Sequence, residues 1–387
     1  MAKEMKMKGF KVVNFGAGEP DFDTPDEIKN EAISAIRGGM TKYTAVAGTP
    51  ELRKAICRKF EQDQGVRYQP GQIVVSSGAK HSIYNAVQVL VQAGDEVILP
   101  APYWVSYLEQ IKLAGADVRI VATSEEKGFK LTPGLLAAAA TPRTRLLILN
   151  SPGNPTGAVY SRQELELLAE VILKHDGLMV ISDEIYEKLI YDGLKHVSIA
   201  SLSAEMKERT VIINGVSKAY AMTGWRIGYA AAAEPVAKAM ADLQSHSTSN
   251  AVSVSQEAAR VALSSDLEAV GQMVAEFARR RDYMLERLQA IPGISCTRPG
   301  GAFYLFPNVK SFFGGSYQGK KINHATDLAA VLLADKKVAV VPGIAFGNDD
   351  YIRLSYACAM EDIREGMDRF TAFLASVNYN FSNKSRV

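Results

Sequence analysis

The chain is poor in the residues that anchor metals and disulfides. It carries three cysteines, Cys57, Cys296 and Cys358, and five histidines in 387 residues. The cysteines are odd in number and far apart, which excludes a disulfide framework and reads as reduced thiols in a reducing compartment. No pair has metal-ligand spacing and no HExxH or clustered His/Cys set occurs, so no built-in transition-metal site is predicted. An excess of one charge is also missing: 44 basic residues against 42 acidic leave +2. That balance gives no electrostatic case for nucleic acid or a membrane surface. No apolar run is long enough to span a bilayer. The basic start MAKEMKMKGFKVV is followed by no long apolar region and is not a secretory signal. No repeat or low-complexity tract is visible. The expectation is a cytoplasmic enzyme or binding protein.

What is present is an ordinary globular composition, 47% hydrophobic and 22% charged. The length predicts about two domains. Short apolar runs alternate with helical patterns: IVVS (73–76), EVILP (96–100), DVRIVAT (117–123), RLLILNS (145–151), LMVISD (178–183), TVIINGVS (210–217) and WRIGYAAA (225–232). Such alternation predicts an α/β domain with a mainly parallel sheet covered on both faces. Right-handed crossovers then gather the strand C-termini along one edge, where ligands bind. A long amphipathic stretch from Ser253 to Ile291 precedes a change of texture near Pro292. Beyond it a smaller unit of strands and helices is expected, joined by the first forty or so residues.

Two motifs mislead. GAGEPDF has G-x-G after a short apolar run, but Asp21 stands where a dinucleotide fingerprint needs its third glycine, and Pro20 disfavours a helix there. GGSYQGKK (314–321) nearly spells a phosphate loop, but Lys321 replaces the required Ser or Thr; it reads as a solvated surface loop.

The strand ends carry the chemistry. Ser77, Gly78 and Ala79 sit where a strand passes into a helix, whose free N–H groups make an anion site. Tyr103 and Trp104 follow two prolines; a core tryptophan or a stacking face are both open. Asn154 lies in NSPGNPTG, a turn with donors and an acceptor to offer. Asp183 ends a strand, with Tyr186 three residues on; a carboxylate at that depth is a helix cap or needs a cationic partner. Lys218 ends another strand among small residues, with Arg226 eight places on. A half-buried lysine loses hydration and needs a partner or a task. Each feature alone has a structural explanation. Together they form an anion cradle, a stacking ring, a carboxylate, polar groups and an amine, a set that suits pyridoxal phosphate.

The ordered markers GAGEPDF, KYTAVAG, SGAKHS, PYWVSY, NSPGNPTG, SDEIY, NGVSKAYAMTGWRIGY, PGGAFY, VAVVPG and YIRLSYA run over nearly the whole chain. With them the sequence resembles the class I, fold-type I pyridoxal-phosphate aminotransferases, and within them the bacterial aspartate/prephenate subgroup. The resemblance implies a large cofactor-binding domain (45–285) with a mainly parallel central sheet flanked by helices. It also implies a smaller α+β domain made from 286–387 together with 1–44. It implies that Lys218 is the catalytic base and the covalent tether of pyridoxal 5'-phosphate. Asp183 would pair with the pyridine N–H, Tyr186 and Asn154 with the phenolic oxygen, and Trp104 would stack on the ring. Ser77, Gly78, Ala79, Ser217 and Arg226 would hold the phosphate. Tyr43 would reach it from the other subunit of a homodimer. Gly18, Trp104, Asn154 and Arg353 would bind the substrate's α-carboxylate end, and Lys80 its distal carboxylate. The implied reaction is ping-pong transfer from aspartate to 2-oxoglutarate, with glutamate and prephenate as further substrates. Aromatic or other amino-acid transamination, or carbon–sulfur β-elimination on the same fold, are the alternatives. A regulatory protein would need a fused DNA-binding module, for which there is neither spare length nor a basic patch. Members of the subgroup carry a further N-terminal segment that helps cover the substrate; this sequence begins at Met1 within the helix that follows it.

Overall fold

The computed structural model describes residues 2–265 and 268–378. Its centre is a seven-stranded sheet of β1 (Ile73–Ser76), β2 (Glu96–Ala101), β3 (Asp117–Ala122), β4 (Thr144–Asn150), β5 (Met179–Asp183), β6 (Thr210–Gly215) and β7 (Gly228–Ala231), in the order β1-β7-β6-β5-β4-β2-β3. Each strand coincides with one of the apolar runs read from the sequence. β-Branched and leucine-rich runs suit a pleated surface covered on both sides. The period of two is visible in the packing. Leu146 and Ile148 of β4 join a core with Ile83, Val87 and Tyr107, while Leu147 and Leu149 join another with Leu165, Leu168 and Ile172.

Three details depart from the sequence reading. β7 runs antiparallel to both β1 and β6, so the sheet has one reversed strand. That strand begins at Gly228 rather than Trp225, because Thr223–Trp225 form a 3-10 turn and Arg226 takes a left-handed φ of 58°. β3 is an edge strand on which only Val121 is buried. Its side chains at 117, 119 and 120 face solvent, so the two-sided covering stops there.

The second unit is built from shorter pieces. Val13–Asn14 pairs in parallel with Val338–Ala339. Tyr304–Leu305, Ile352–Ser355 and Val341–Pro342 form an antiparallel three-stranded sheet. Their core brings Phe15 against Phe303, Leu354, Met367 and Phe370. The amphipathic stretch after Ser253 forms two helices, Ser253–Ser264 and Glu268–Gln289; extended backbone at Ser265 ends the first. The segment read as a surface loop at 314–320 is a hairpin, with Gly315–Tyr317 paired to Lys320–Ile322. Gln318 and Gly319 both take positive φ, the conformation a two-residue hairpin turn requires, and Tyr317 is buried. No helix among the described residues is long and apolar enough to cross a membrane.

Candidate active site

β1, β2, β4, β5 and β6 end on one edge of the sheet, and the reversed β7 starts there. Against this edge stands the short sheet containing Arg353. Between them lies a cavity of about 420 Å³. Its wall includes Ala79, Lys80, Trp104, Asn154, Asp183 and Tyr186. It also includes Gly18, Ser217, Lys218, Arg226 and Arg353, so eleven of the fourteen residues singled out from the sequence meet in one place. Three do not line it. Gly78 caps α1 (Ala79–Leu90) directly behind the wall. Ser77 takes part through its backbone: its carbonyl accepts from Arg226 Nη2 at 3.3 Å and its N–H donates to His81 Nδ1 at 3.2 Å. Tyr43 lies at the surface, 90% exposed.

The anion end is built by backbone. α1 begins at the cavity wall, where the unpaired N–H groups and positive end of a helix dipole attract an anion. Gly78 has φ 93° and ψ 159°, a region essentially reserved for glycine. A Cβ there would overlap the Arg226 guanidinium, so the glycine is what lets that cation lie against the helix start. Arg226 is fixed by its own bond to the Thr223 carbonyl at 2.8 Å.

The acidic end is Asp183, 4% exposed at the tip of β5. Tyr107 donates to its Oδ2 at 2.6 Å and the Ile185 N–H donates to Oδ1 at 3.2 Å. Among the described residues it has no ion-pair partner. Burial therefore dominates and pushes its carboxyl up to about 6, against the opposing pull of those donors and of Lys218. Glu184, its neighbour, points the other way and anchors the segment. It accepts from Ser182 and Ser198 hydroxyls at 2.8 and 2.6 Å, from Gln64 at 2.8 Å and from His196 at 2.9 Å. Burial opposes its charge, but His196 and the two serines outweigh that and hold it below the ordinary carboxylate range.

Lys218 extends from the turn after β6 and donates to the Gly18 carbonyl at 2.6 Å. Burial lowers its amine to about 8; Glu19 resists, and the cations Arg226 and Arg353 reinforce the fall. Arg353 is buried on its strand. It donates to Asn154 Oδ1 at 2.9 Å and to the Gly16 carbonyl at 3.0 Å. Its guanidinium lies 4.3 Å from the Tyr304 ring centre and 5.0 Å from that of Phe346. Its Nε is buried and has no hydrogen-bond partner among the described residues. Lys80 Nζ lies 5.0 Å over the Trp104 ring.

Sequence reasoning missed Tyr107, Asn150, Tyr304 and Phe346, all of which line the cavity. Tyr107 stands three residues after Trp104, one turn along α2 (Val105–Leu113), and meets that ring edge-on at 5.2 Å. That spacing was a usable signal. Asn150 donates to the Asp183 carbonyl at 3.0 Å and accepts from the Asn154 N–H at 2.8 Å, fixing two neighbouring loops.

Comparisons with known proteins agree with this geometry. The model of the aminotransferase class I and II family matches residues 11–370. The aspartate aminotransferase of Geobacillus stearothermophilus is 50% identical over 373 residues, 96% of this chain and 94% of that protein. The aspartate/prephenate aminotransferase of Cereibacter sphaeroides is 48% identical, covering 97% of this chain and 94% of its own. Among solved structures, the aspartate aminotransferase of Rhizobium meliloti superposes with a TM-score of 0.94 at 45% identity, over 97% of this chain and 94% of that one.

Proposed function

The chain belongs to the aminotransferase class I and II family, and on that premise we propose that it transfers the amino group of aspartate to 2-oxoglutarate. The family's cofactor is pyridoxal phosphate, and the donor set fits it. The cavity offers one buried carboxylate without a counter-ion, one amine of lowered basicity, and an arginine held against a helix start by a glycine that cannot be replaced without overlap. When bound, the cofactor supplies an aldehyde that takes up and returns nitrogen and a ring that withdraws electrons from the substrate's α-carbon.

The chain's own residues then have these tasks. Lys218 is the tether and, once released, the base that moves a proton to and from the α-carbon; burial lowers its amine to about 8, which eases loss of its proton compared with an ordinary lysine. Asp183 holds the proton on the ring nitrogen, and Tyr107 keeps the carboxylate aimed. Asn154 accepts from Arg353 at its Oδ1, which leaves its NH2 to donate to the phenolic oxygen beside Tyr186. Trp104 covers the ring. Gly78, Ala79, Ser217 and Arg226, with the backbone at Ser77, hold the phosphate. Arg353 clamps the substrate α-carboxylate as a planar fork, and Gly18 closes that side.

Four basic side chains line the cavity, and the observation that carries the choice of aspartate is that two of them, Arg353 and Lys80, are left for a substrate once Lys218 and Arg226 are given to the cofactor. A dicarboxylic amino acid satisfies both. Prephenate, which also carries two carboxylates, is the second reading, motivated by the name of the Cereibacter relative. Purified protein with added cofactor should form oxaloacetate from aspartate and 2-oxoglutarate, followed by coupled reduction of the oxaloacetate. No product with aspartate, but product with another donor from a panel, would overturn the assignment.

Two further readings go with this one. The pairing of Val13–Asn14 with Val338–Ala339 supports grouping the first part of 1–44 with 286–387 as the smaller unit, beside a larger unit of 45–285, whereas Ile28 and Ala32 of the helix Asp26–Arg37 share a core with Leu52, Ile56 and Ala258 and go with the larger unit. The protein is a cytoplasmic homodimer in which Tyr43 serves the partner's phosphate; Ile33, Ile36, Tyr43 and Val252 expose apolar surface suited to burial. Sedimentation of a monomer at working concentration would contradict the dimer.

A further inference from the structure

Tyr304 was given no task by sequence reasoning, yet it touches both ends of the site. It is 1% exposed and lines the cavity. Its hydroxyl lies 2.9 Å from that of Tyr186. Its ring faces the Arg353 guanidinium at 4.3 Å. Each phenol has a single hydrogen. The guanidinium beside Tyr304 has donors only and cannot accept its proton. Among the described residues, the hydrogen-bond partner of the Tyr304 hydroxyl is Tyr186. The geometry allows either hydroxyl to donate; Tyr186 can give its hydrogen to the cofactor's phenolic oxygen only in the arrangement in which Tyr304 donates to Tyr186. Hydrogen bonds in such a chain polarise one another, so donation by Tyr304 makes Tyr186 the stronger donor. The same ring, with Phe346 opposite it, holds the guanidinium plane by cation–π attraction.

We propose that Tyr304 is a positioning residue with two separable effects: its hydroxyl directs and strengthens the hydrogen bond that Tyr186 gives to the cofactor's phenolic oxygen, and its ring sets the plane in which Arg353 receives a carboxylate. This rests on the reading that Tyr186 meets that oxygen and Arg353 the substrate. A hydrogen bond to the phenolic oxygen draws charge from it and weakens its hold on the neighbouring proton. Losing that bond raises the pH at which the bound cofactor's visible absorbance titrates.

The experiment is a spectrophotometric pH titration of the holoprotein without substrate, paired with the dissociation constant of succinate, a dicarboxylate that cannot react. Tyr186→Phe should move the midpoint up. Tyr304→Phe, which keeps the ring, should move it up by about half a unit and leave succinate affinity within about twofold. Tyr304→Leu should move the midpoint similarly and weaken succinate by about fivefold. Tyr304→Phe added to Tyr186→Phe should give no further shift, because the route through Tyr186 is already gone. If Tyr186→Phe shifts the midpoint but Tyr304→Phe does not, or if its shift persists in full on the Tyr186→Phe background, the hydroxyl's task is overturned. Unchanged succinate binding in Tyr304→Leu overturns the ring's. If Tyr186→Phe itself shifts nothing, the underlying placement of Tyr186 fails instead.

Discussion

Replacing Asp183 by Asn should act with opposite signs on the free protein and on the cofactor complex. Burial lifts the Asp183 carboxyl from 3.8 to about 6. A rise of about two units corresponds to about 3 kcal/mol of folding free energy spent on keeping the group ionised. The sign follows from linkage. Below the unfolded value both states hold the proton and there is no cost; the cost grows between about 3.8 and 6 and is complete above that. At neutral pH and above, the apoprotein bears all of it. Asn removes the charge; its Oδ1 can keep the Ile185 N–H and its NH2 can donate to the Tyr107 hydroxyl, but the buried Tyr107 hydrogen then loses its acceptor. That mismatch returns about 1–2 kcal/mol, so the apoprotein should gain about 1–2 kcal/mol. In the complex, the protonated ring nitrogen loses its counter-charge, at a cost of about 3–5 kcal/mol. The same loss should lower kcat/KM for aspartate by two to three powers of ten or more. Urea unfolding near pH 8, with and without pyridoxal phosphate, measures the first pair and steady-state kinetics the second. An Asn variant destabilised equally in both forms, or one that turns over near normally, would refute the reasoning.

Other consequences are as direct. Gly78→Ala places a Cβ on the Arg226 guanidinium at a φ of 93°; strain of about 1–3 kcal/mol should weaken cofactor affinity by about 5- to 150-fold in a fluorescence titration of folded apoprotein. Arg353→Lys keeps the charge but loses the fork held by Asn154 and Gly16; kcat/KM for aspartate should fall by about 10²–10³. Because burial lowers the Lys218 amine to about 8, capture of the cofactor by apoprotein should quicken nearly tenfold per pH unit below that value and level off above it, by stopped-flow absorbance. A rate flat across that range would remove Lys218 as the nucleophile.

The central sheet was legible because its strands are buried and their apolar runs are uninterrupted; Val211, Ile212 and Ile213 of β6 are fully buried. The direction of β7 was not legible, because a short apolar run between turns reads alike in either direction. The hairpin at 315–322 was hidden by its polar residues, since only Tyr317 and Ile322 announce a buried side. In the site, the residues that stood out were those with chemistry at a strand end: Lys218, Asp183, Asn154 and Arg226. Tyr107 and Tyr304 were passed over because tyrosines in apolar surroundings read as core. Their tasks depend on contacts across 76 and 118 positions of sequence, to Asp183 and Tyr186 respectively. Only the fold brings those hydroxyls within reach.

Attachment of the cofactor to one amine can be read chemically. Borohydride treatment of the holoprotein followed by peptide mass mapping should place the reduced cofactor on Lys218 alone, and on no residue once Lys218 is replaced by Ala. Label on Lys80 or another lysine of the untreated sequence, or none at all in a protein that still transaminates, would contradict the account.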